Sequence, residues 1–166
     1  AEAAADQARK VTVAAAAVGE ARAWCVSVKP FVSMTDAERE TARARLTATT
    51  DLSALSECDV IVEAVIEDLA LKKPLYEDIG RVVKDTCIIA SNASSLAIHK
   101  MGAFSGRPAQ MVGLHFFNPV QLMQLVEVVR TDQTDPALFQ GAMGFAKALG
   151  KTPVECIDTE GFVVNR

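Results

Sequence analysis

Short apolar runs alternate with helical patterns from Asp51 onward, and this alternation restricts the folds open to the chain. Residues 60–65 form a nearly continuous apolar run, as expected of a strand that is covered on both faces. Further strands are predicted at residues 87–90, 111–116, 125–129 and 152–157. Strands that are separated by helices favour an α/β fold with a mostly parallel sheet.

The pattern also predicts the helices between these strands. Residues 68–84 place four apolar side chains on one face at three- and four-residue spacing, namely Leu71, Leu75, Ile79 and Val82. A second helix has Asp135 as its cap, Pro136 in its first turn and Gly150 where the chain leaves it. Residues 118–124 are too few for a crossover helix, so we expect an antiparallel edge there.

The first fifty residues are less regular. Strands are predicted at residues 10–13 and 24–28, and residues 35–38 (TDAE) form a capping box that starts a helix running to about Leu46. Either Ser94 or Ser95 is expected to cap a short helix after the strand at residues 87–90. No repeat or linker divides the chain, so we predict one domain spanning residues 1–166.

Composition excludes several classes of protein. The 166 residues carry a net charge of −4, which argues against a broad nucleic-acid surface. No apolar run approaches the roughly 18–20 residues of a membrane span, and residues 1–10 lack a signal-peptide core. The four cysteines are widely spaced without CxxC, so we expect no metal site and no disulfide framework. Buried free thiols at Cys58 and Cys87 would suit a reducing compartment, either the cytoplasm or the mitochondrial matrix.

Polar groups cluster at the ends of three successive apolar runs. Residues 91–96 read SNASSL, residues 113–119 read GLHFFNP and residues 125–129 read LVEVV. Together they supply an amide, a hydroxyl, an imidazole and a carboxylate. His115 is one of only two histidines, the other being His99. An imidazole braced by an acid can remove the proton of an alcohol near neutral pH while another group accepts the hydride.

These three segments, together with residues 158–166 (DTEGFVVNR), resemble the NAD-binding domain of the L-3-hydroxyacyl-CoA dehydrogenases. The likeness extends over residues 35–166, with Ala93 where the family usually has Thr and Glu160 where it usually has Pro. It implies a Rossmann-like doubly wound sheet, NAD as cofactor and an acyl-CoA substrate, in fatty-acid β-oxidation or related short-chain metabolism. It also implies a homodimer formed through a helical C-terminal domain, which these 166 residues lack.

The resemblance also implies roles for individual residues. His115 would be the catalytic base and Glu127 the carboxylate that orients it. The implied substrate contacts are Ser94, Asn118 and Asn165. The implied cofactor contacts are Asn92, Glu67 and Lys72.

Each assignment has a plainer alternative. His115 could be a core histidine, and Glu127 could point to solvent from its strand. Glu67 and Lys72 could be an exposed pair at a helix start, and His99 a surface residue of a short helix.

The N-terminal part departs from the family. A glycine-rich turn should follow the first strand and hold the pyrophosphate, but residues 11–13 are followed by AAAAVGE without a GxGxxG motif. The acidic residue expected after the second strand is also missing, because Lys29 follows Val28. The first βαβ unit is therefore either shortened or incompletely represented in the sequence. A non-catalytic remnant and a different two-domain dehydrogenase, acting on another acid or thioester, remain as alternative functions.

Overall fold

The computed structural model describes residues 11–14, 35–159 and 161–163. Within them the strands are β1 (Val11–Ala14), β2 (Leu46–Thr49), β3 (Val60–Glu63), β4 (Ile88–Ser91), β5 (Met111–Phe116), β6 (Leu125–Arg130) and β7 (Thr152–Ile157). The α-helices are α1 (Asp36–Arg43), α2 (Leu69–Val82), α3 (Ile98–Ser105) and α4 (Pro136–Ala148). Two short 3₁₀ helices span Leu52–Leu55 and Pro108–Gln110.

Five strands form one mixed sheet in the order β3-β4-β5-β6-β7. β3, β4 and β5 are parallel, β6 runs antiparallel to β5, and β7 pairs parallel to β6. The predicted α/β fold, the five strands of this sheet and the reversal after β5 are confirmed. The antiparallel pair lies one strand inside the edge, because β7 adds to β6 beyond it.

The N-terminal strand β1 does not belong to the five-stranded sheet. β1 and β2 form a separate two-stranded parallel sheet, with Val11 opposite Leu46. The predicted strand at residues 24–28 lies outside the described residues, as do the alanine run after β1 and the position of the family's glycine-rich turn.

Alternation along the strands divides the core into two layers. On β5 and β6, Val112, Leu114, Val126 and Val128 pack with α4. Met111 and Val129 face the opposite layer, which contains α2 and α3. Because successive side chains point to opposite faces, His115 and Glu127 belong to the α2–α3 side of the sheet.

Helix α2 lies within the predicted range and ends at Val82, two residues before the predicted end. Its predicted apolar face packs on the core at Leu75, Ile79 and Val82 but not at Leu71. The Asp68 side chain caps it by accepting from the backbone N–H groups of Ala70 and Leu71. Leu71, predicted to be inside, is 51% exposed, whereas Lys72 and Tyr76 are buried. The prediction for Leu71 is wrong because a buried carboxylate on β3 draws these two polar side chains inward.

Two helix ends also differ from prediction. Neither Ser94 nor Ser95 caps α3, since its N-cap position is Ala97 and the capping carboxylate comes from Asp158, far along the chain. Helix α1 ends at Arg43, and Leu46 already belongs to β2.

Two caps behave as predicted. In the capping box, Thr35 N–H donates to Glu38 and Glu38 N–H donates to the Thr35 hydroxyl. In α4, Asp135 accepts from the N–H groups of Ala137 and Leu138, and Gly150 takes φ +73° just beyond the helix.

The cysteines of the described region are free thiols. Cys87 and Cys156 are buried, and Cys58 is only partly buried. Burial raises the pKa of the Cys87 and Cys156 thiols to about 11, so both stay protonated near neutral pH. Cys25 lies outside the described residues. Among the helices that the structure describes, none combines the length and apolar character that crossing a membrane requires.

Candidate active site

A buried histidine–glutamate pair lies across the β5–β6 ladder. The register places His115 directly opposite Glu127. His115 Nδ1 is 2.7 Å from Glu127 Oε2, and their side chains are 7% and 1% exposed. Opposed residues on antiparallel strands have Cβ atoms about 4.5–5.5 Å apart, so the register alone brings the two groups within reach. The alternative that Glu127 points to solvent is wrong.

The second oxygen of Glu127 is held from the C-terminal side. Val163 N–H donates to Glu127 Oε1 at 3.0 Å. The chain reaches this position after β7 through a turn in which Gly161 has φ +76° and Phe162 has φ +51°. Both carboxylate oxygens therefore have partners that fix the carboxylate plane, and the orientation of His115 with it. Sequence reasoning missed the contribution of Val163, since a backbone N–H leaves no residue-type signal.

Aromatic rings surround the imidazole. The His115 ring centroid lies 4.6 Å from that of Phe117 and 5.9 Å from that of Phe162. Its Nδ1 faces Glu127, while Nε2 has no hydrogen-bond partner within the described part of the chain. Nε2 is therefore the nitrogen that can exchange a proton with a bound molecule.

The SNASSL segment follows β4 and is held by Glu67. Glu67 Oε1 accepts from the N–H groups of Ser94, Ser95 and Leu96 at 3.0, 2.6 and 3.1 Å, and from the Ser95 hydroxyl at 2.9 Å. Partial burial raises the pKa of this carboxyl, but the hydrogen bonds from Ser95, Leu96 and Ser94 outweigh burial and leave it below its usual value. Glu67 thus fixes the path of the backbone that carries Ser94.

Asn92 links this segment to the strand that bears the histidine. Its Oδ1 accepts from Phe116 N–H at 2.9 Å, and its own N–H donates to the Glu63 carbonyl at 2.8 Å. The side-chain amide is therefore oriented at the carboxyl ends of β4 and β5, beside His115. Ligands of open α/β sheets bind at this end of the strands.

Lys72 takes part in a buried polar cluster. Its Nζ donates to Glu63 Oε1 at 2.5 Å and to the Val65 carbonyl at 3.2 Å. The Tyr76 and Ser91 hydroxyls donate to Glu63 Oε2 at 2.8 and 2.9 Å. Burial first, and then the Glu63 charge, raise the pKa of Tyr76 well above its usual value.

This cluster rules out one alternative. An exposed Glu67–Lys72 pair is wrong, because the two side chains bond to different partners and Lys72 is buried. Sequence reasoning missed Glu63. The available signal was a carboxylate within an apolar strand, followed nine residues later by a lysine on a helix.

Of the remaining predicted site residues, the structure describes only Asn118. Asn118 is exposed just beyond β5, at the cis peptide bond with Pro119. Asn165 lies outside the described residues. His99 is exposed on α3, as predicted, with its Nδ1 2.7 Å from Asp158.

Comparison with known proteins decides the family. Residues 4–159 match the family model described as "3-hydroxyacyl-CoA dehydrogenase, NAD binding domain". The chain belongs to the 3-hydroxyacyl-CoA dehydrogenase family. The members of this family are NAD-dependent oxidoreductases with a Rossmann-like fold, and its NAD-binding domain is the part that the chain matches.

Two curated relatives illustrate the range of the 3-hydroxyacyl-CoA dehydrogenase family. A probable 3-hydroxybutyryl-CoA dehydrogenase of Deinococcus radiodurans is 47% identical over 133 residues, covering 80% of this chain and 48% of the relative. The fatty acid oxidation complex subunit alpha of Shewanella amazonensis is 44% identical over 133 residues, covering 80% of this chain and 19% of the relative. The chain thus spans about half the length of the first relative and much less of the second.

A solved structure agrees with this family assignment. The (S)-3-hydroxybutyryl-CoA dehydrogenase of Ralstonia eutropha superposes with a TM-score of 0.78 at 38% identity, covering 81% of this chain and 48% of that one. The likeness at this identity supports a common fold.

Proposed function

We propose that this chain is the NAD-binding part of an enzyme that oxidises L-3-hydroxyacyl-CoA to 3-oxoacyl-CoA reversibly. The observation that carries the proposal is the 2.7 Å contact between His115 Nδ1 and Glu127 Oε2, with Nε2 free to receive a proton. His115 Nε2 takes the proton of the substrate hydroxyl in the oxidative direction. NAD, when bound, accepts the hydride from the adjacent carbon.

Glu127 makes His115 effective as a base. With Nδ1–H donating to Glu127, the neutral tautomer presents an unprotonated Nε2 to the substrate. When Nε2 takes the proton, the imidazolium lies against a carboxylate, which stabilises its charge as the acid does in a Ser-His-Asp arrangement. In the reverse direction the same imidazolium donates its Nε2 proton to the reduced oxygen.

Three side chains are assigned to the substrate. Ser94 and Asn165 donate to the substrate oxygen, where negative charge develops during reduction of the ketone. Asn118 lines the same pocket from the end of β5. The assignment of Ser94 is supported by the rigid hold of Glu67 on its backbone.

Asn92, Glu67 and Lys72 are assigned to the cofactor end. Asn92 fits the nicotinamide side of NAD, because its Oδ1 is occupied by Phe116 N–H and its amide N–H₂ has no partner within the described residues. Glu67 acts beside it by fixing the 94–96 backbone. Lys72, being buried, acts through Glu63 and the Val65 carbonyl by holding the β3–α2 connection.

The absence of GxGxxG after β1 favours a second candidate, a remnant that keeps the fold without turnover. The alanine methyl groups of this segment would crowd a pyrophosphate that approaches the backbone, whereas glycine would permit the approach. A binding measurement separates the two candidates: quenching of Trp24, the only tryptophan, on addition of NAD. No NAD binding favours the remnant, whereas binding without turnover favours an isolated domain.

The decisive variant is His115→Gln. We expect it to abolish reduction of acetoacetyl-CoA by NADH while leaving NAD affinity nearly unchanged, since the proton donor is lost but the cofactor contacts remain. His99→Gln is the matched control and should retain activity, because His99 is exposed on α3. The measurements are NADH absorbance for turnover and Trp24 quenching for affinity. An active His115→Gln enzyme would refute the proposed base.

We extend the proposal to cellular context. The enzyme acts in fatty-acid β-oxidation or related short-chain acyl-CoA metabolism, in the cytoplasm, with the mitochondrial matrix as the alternative. The names of the relatives, which include a fatty acid oxidation complex subunit, support this setting. We also propose a homodimer that forms through a helical domain outside these 166 residues. Sedimentation analysis of the full protein in the analytical ultracentrifuge, which measures its mass in solution, would test it.

A further inference from the structure

Helix α3 is capped at its N-terminus by the side chain of a residue that is distant in the sequence. Its N-cap position is Ala97, which has no side chain able to accept a hydrogen bond. Asp158, directly after β7, accepts from the backbone N–H groups of Ile98 and His99, both at 2.8 Å. The Asp158 side chain is only 5% exposed. A carboxylate also suits this end of a helix, where the backbone dipoles leave a partial positive charge.

On both sides of this contact the chain is hydrogen-bonded at or next to the dyad. On one side, the segment that leads to α3 and includes Ser94 starts at Asn92, whose Oδ1 accepts from the N–H of Phe116, the residue after His115. On the other side, the chain turns after Asp158, with Phe162 N–H donating to the Thr159 carbonyl at 3.0 Å. The turn ends with Val163 N–H on Glu127, so it supports the carboxylate that orients the histidine.

We propose that Asp158 is a positioning residue for the reaction assigned above, coupling the 94–97 segment to the 159–163 turn around the His115–Glu127 dyad. The inference rests on the proposed function. Within the described residues, the hydrogen bonds of the Asp158 side chain go to Ile98 and His99 and not to the dyad. It acts by fixing the separation between Ser94 and His115, two groups that must meet the same substrate oxygen.

A single-turnover experiment distinguishes positioning from a merely structural role. NADH oxidation by acetoacetyl-CoA is followed by stopped flow, so that the amplitude counts competent sites and the rate constant reports their geometry. Asp158→Ala should lower the rate constant by about 10²-fold, the scale of a 1 Å misplacement, with the amplitude retained. Asp158→Asn keeps one acceptor oxygen and should lie between Asp158→Ala and the native protein.

His99→Ala is the matched control. It removes the third contact of Asp158, from the exposed His99 ring, but keeps both backbone bonds to α3, so its rate constant should stay near the native value. A lower amplitude with an unchanged rate constant in Asp158→Asn and Asp158→Ala would overturn the inference, because the carboxylate would then only stabilise the fold. An unchanged rate constant and amplitude would overturn it as well.

Hydrogen exchange separates failure of this inference from failure of the proposed function. Asp158→Asn should speed amide exchange at Ile98 and, if the two segments are coupled, at Val163 too. A native protein that does not turn over acetoacetyl-CoA would remove the proposed function, and with it the kinetic claim. Faster exchange at Ile98 alone would show that the two segments are independent and would overturn the coupling itself.

Discussion

Lys72 and Glu63 form an ion pair with both side chains only 1% exposed. Removing one member of such a pair leaves a buried charge without compensation, which is far costlier than removing both. Lys72 also donates to the carbonyl of Val65, in the connection that leads from β3 to Glu67. Loss of the pair should therefore also disturb the position of Glu67 and of the 94–96 backbone that it holds.

We expect Lys72→Met to lower the free energy of unfolding by about 3–5 kcal/mol, because Glu63 would lose its buried counter-charge. The Glu63→Gln/Lys72→Met double variant should recover part of this loss. Lys73→Met, at an exposed neighbouring lysine, is the control and should change stability little. Urea unfolding measures all three, and a Lys72→Met protein as stable as the control would show that the pair is not needed.

Glu67 gives a pH-dependent prediction. Its folded-state pKa is lowered, so its contribution to stability is complete above the unfolded-state value of about 4.5 and is lost as pH falls through the folded-state value. The stability difference between the native protein and Glu67→Gln should be present at neutral pH and shrink in acid. Urea unfolding at several pH values tests this, and a difference that grows in acid would contradict it.

Helices α2 and α3 cross at a glycine. A Cβ on Gly80 would lie 1.9 Å from the Ser105 carbonyl oxygen, which is a backbone atom and cannot move aside alone. The missing side chain at Gly80 thus lets the C-terminal end of α3 pack directly on α2.

Gly80→Ala should destabilise the protein by about 1–3 kcal/mol, as overpacking does, although alanine favours helices over glycine. Gly144 in α4 is the matched control, because a Cβ there meets nothing within 4 Å. Gly144→Ala should leave stability unchanged or raise it by up to about 1 kcal/mol. Thermal or urea unfolding compares the two, and equal effects would contradict the tight crossing.

Local signals predicted most elements correctly. The capping box at residues 35–38, the Asp135 cap and the apolar runs of the strands act within a few residues, so the sequence contains them directly. On α2 only the first position of the predicted face, Leu71, was mispredicted, because Glu63, outside the helix, draws Lys72 inward. The cap of α3 was mispredicted for a similar reason, since its donor–acceptor contact joins residues sixty positions apart.

At the scale of the whole molecule, the dyad was predictable because its two residues are close in sequence and the connection between their strands is short. The supporting contacts were not, because they come from elements that only the tertiary fold brings together. Val163 reaches Glu127 from beyond β7, and Glu67 reaches the SNASSL segment from before α2. The sequence thus predicted the two groups of the proposed dyad, and the fold shows which contacts hold them.

Because side chains alternate between the two faces of a sheet, the His115–Glu127 contact depends on the register between β5 and β6. Glu127 is fixed in register on both sides, opposite His115 on β5 and Val154 on β7. A slip of β6 by one residue would exchange its faces, sending the carboxylate among the apolar side chains under α4 and setting a valine before the imidazole. Insertion of a single residue within β6 should therefore abolish the proposed proton transfer, whereas the 118–124 connection can change length without altering the face of the sheet that Glu127 occupies.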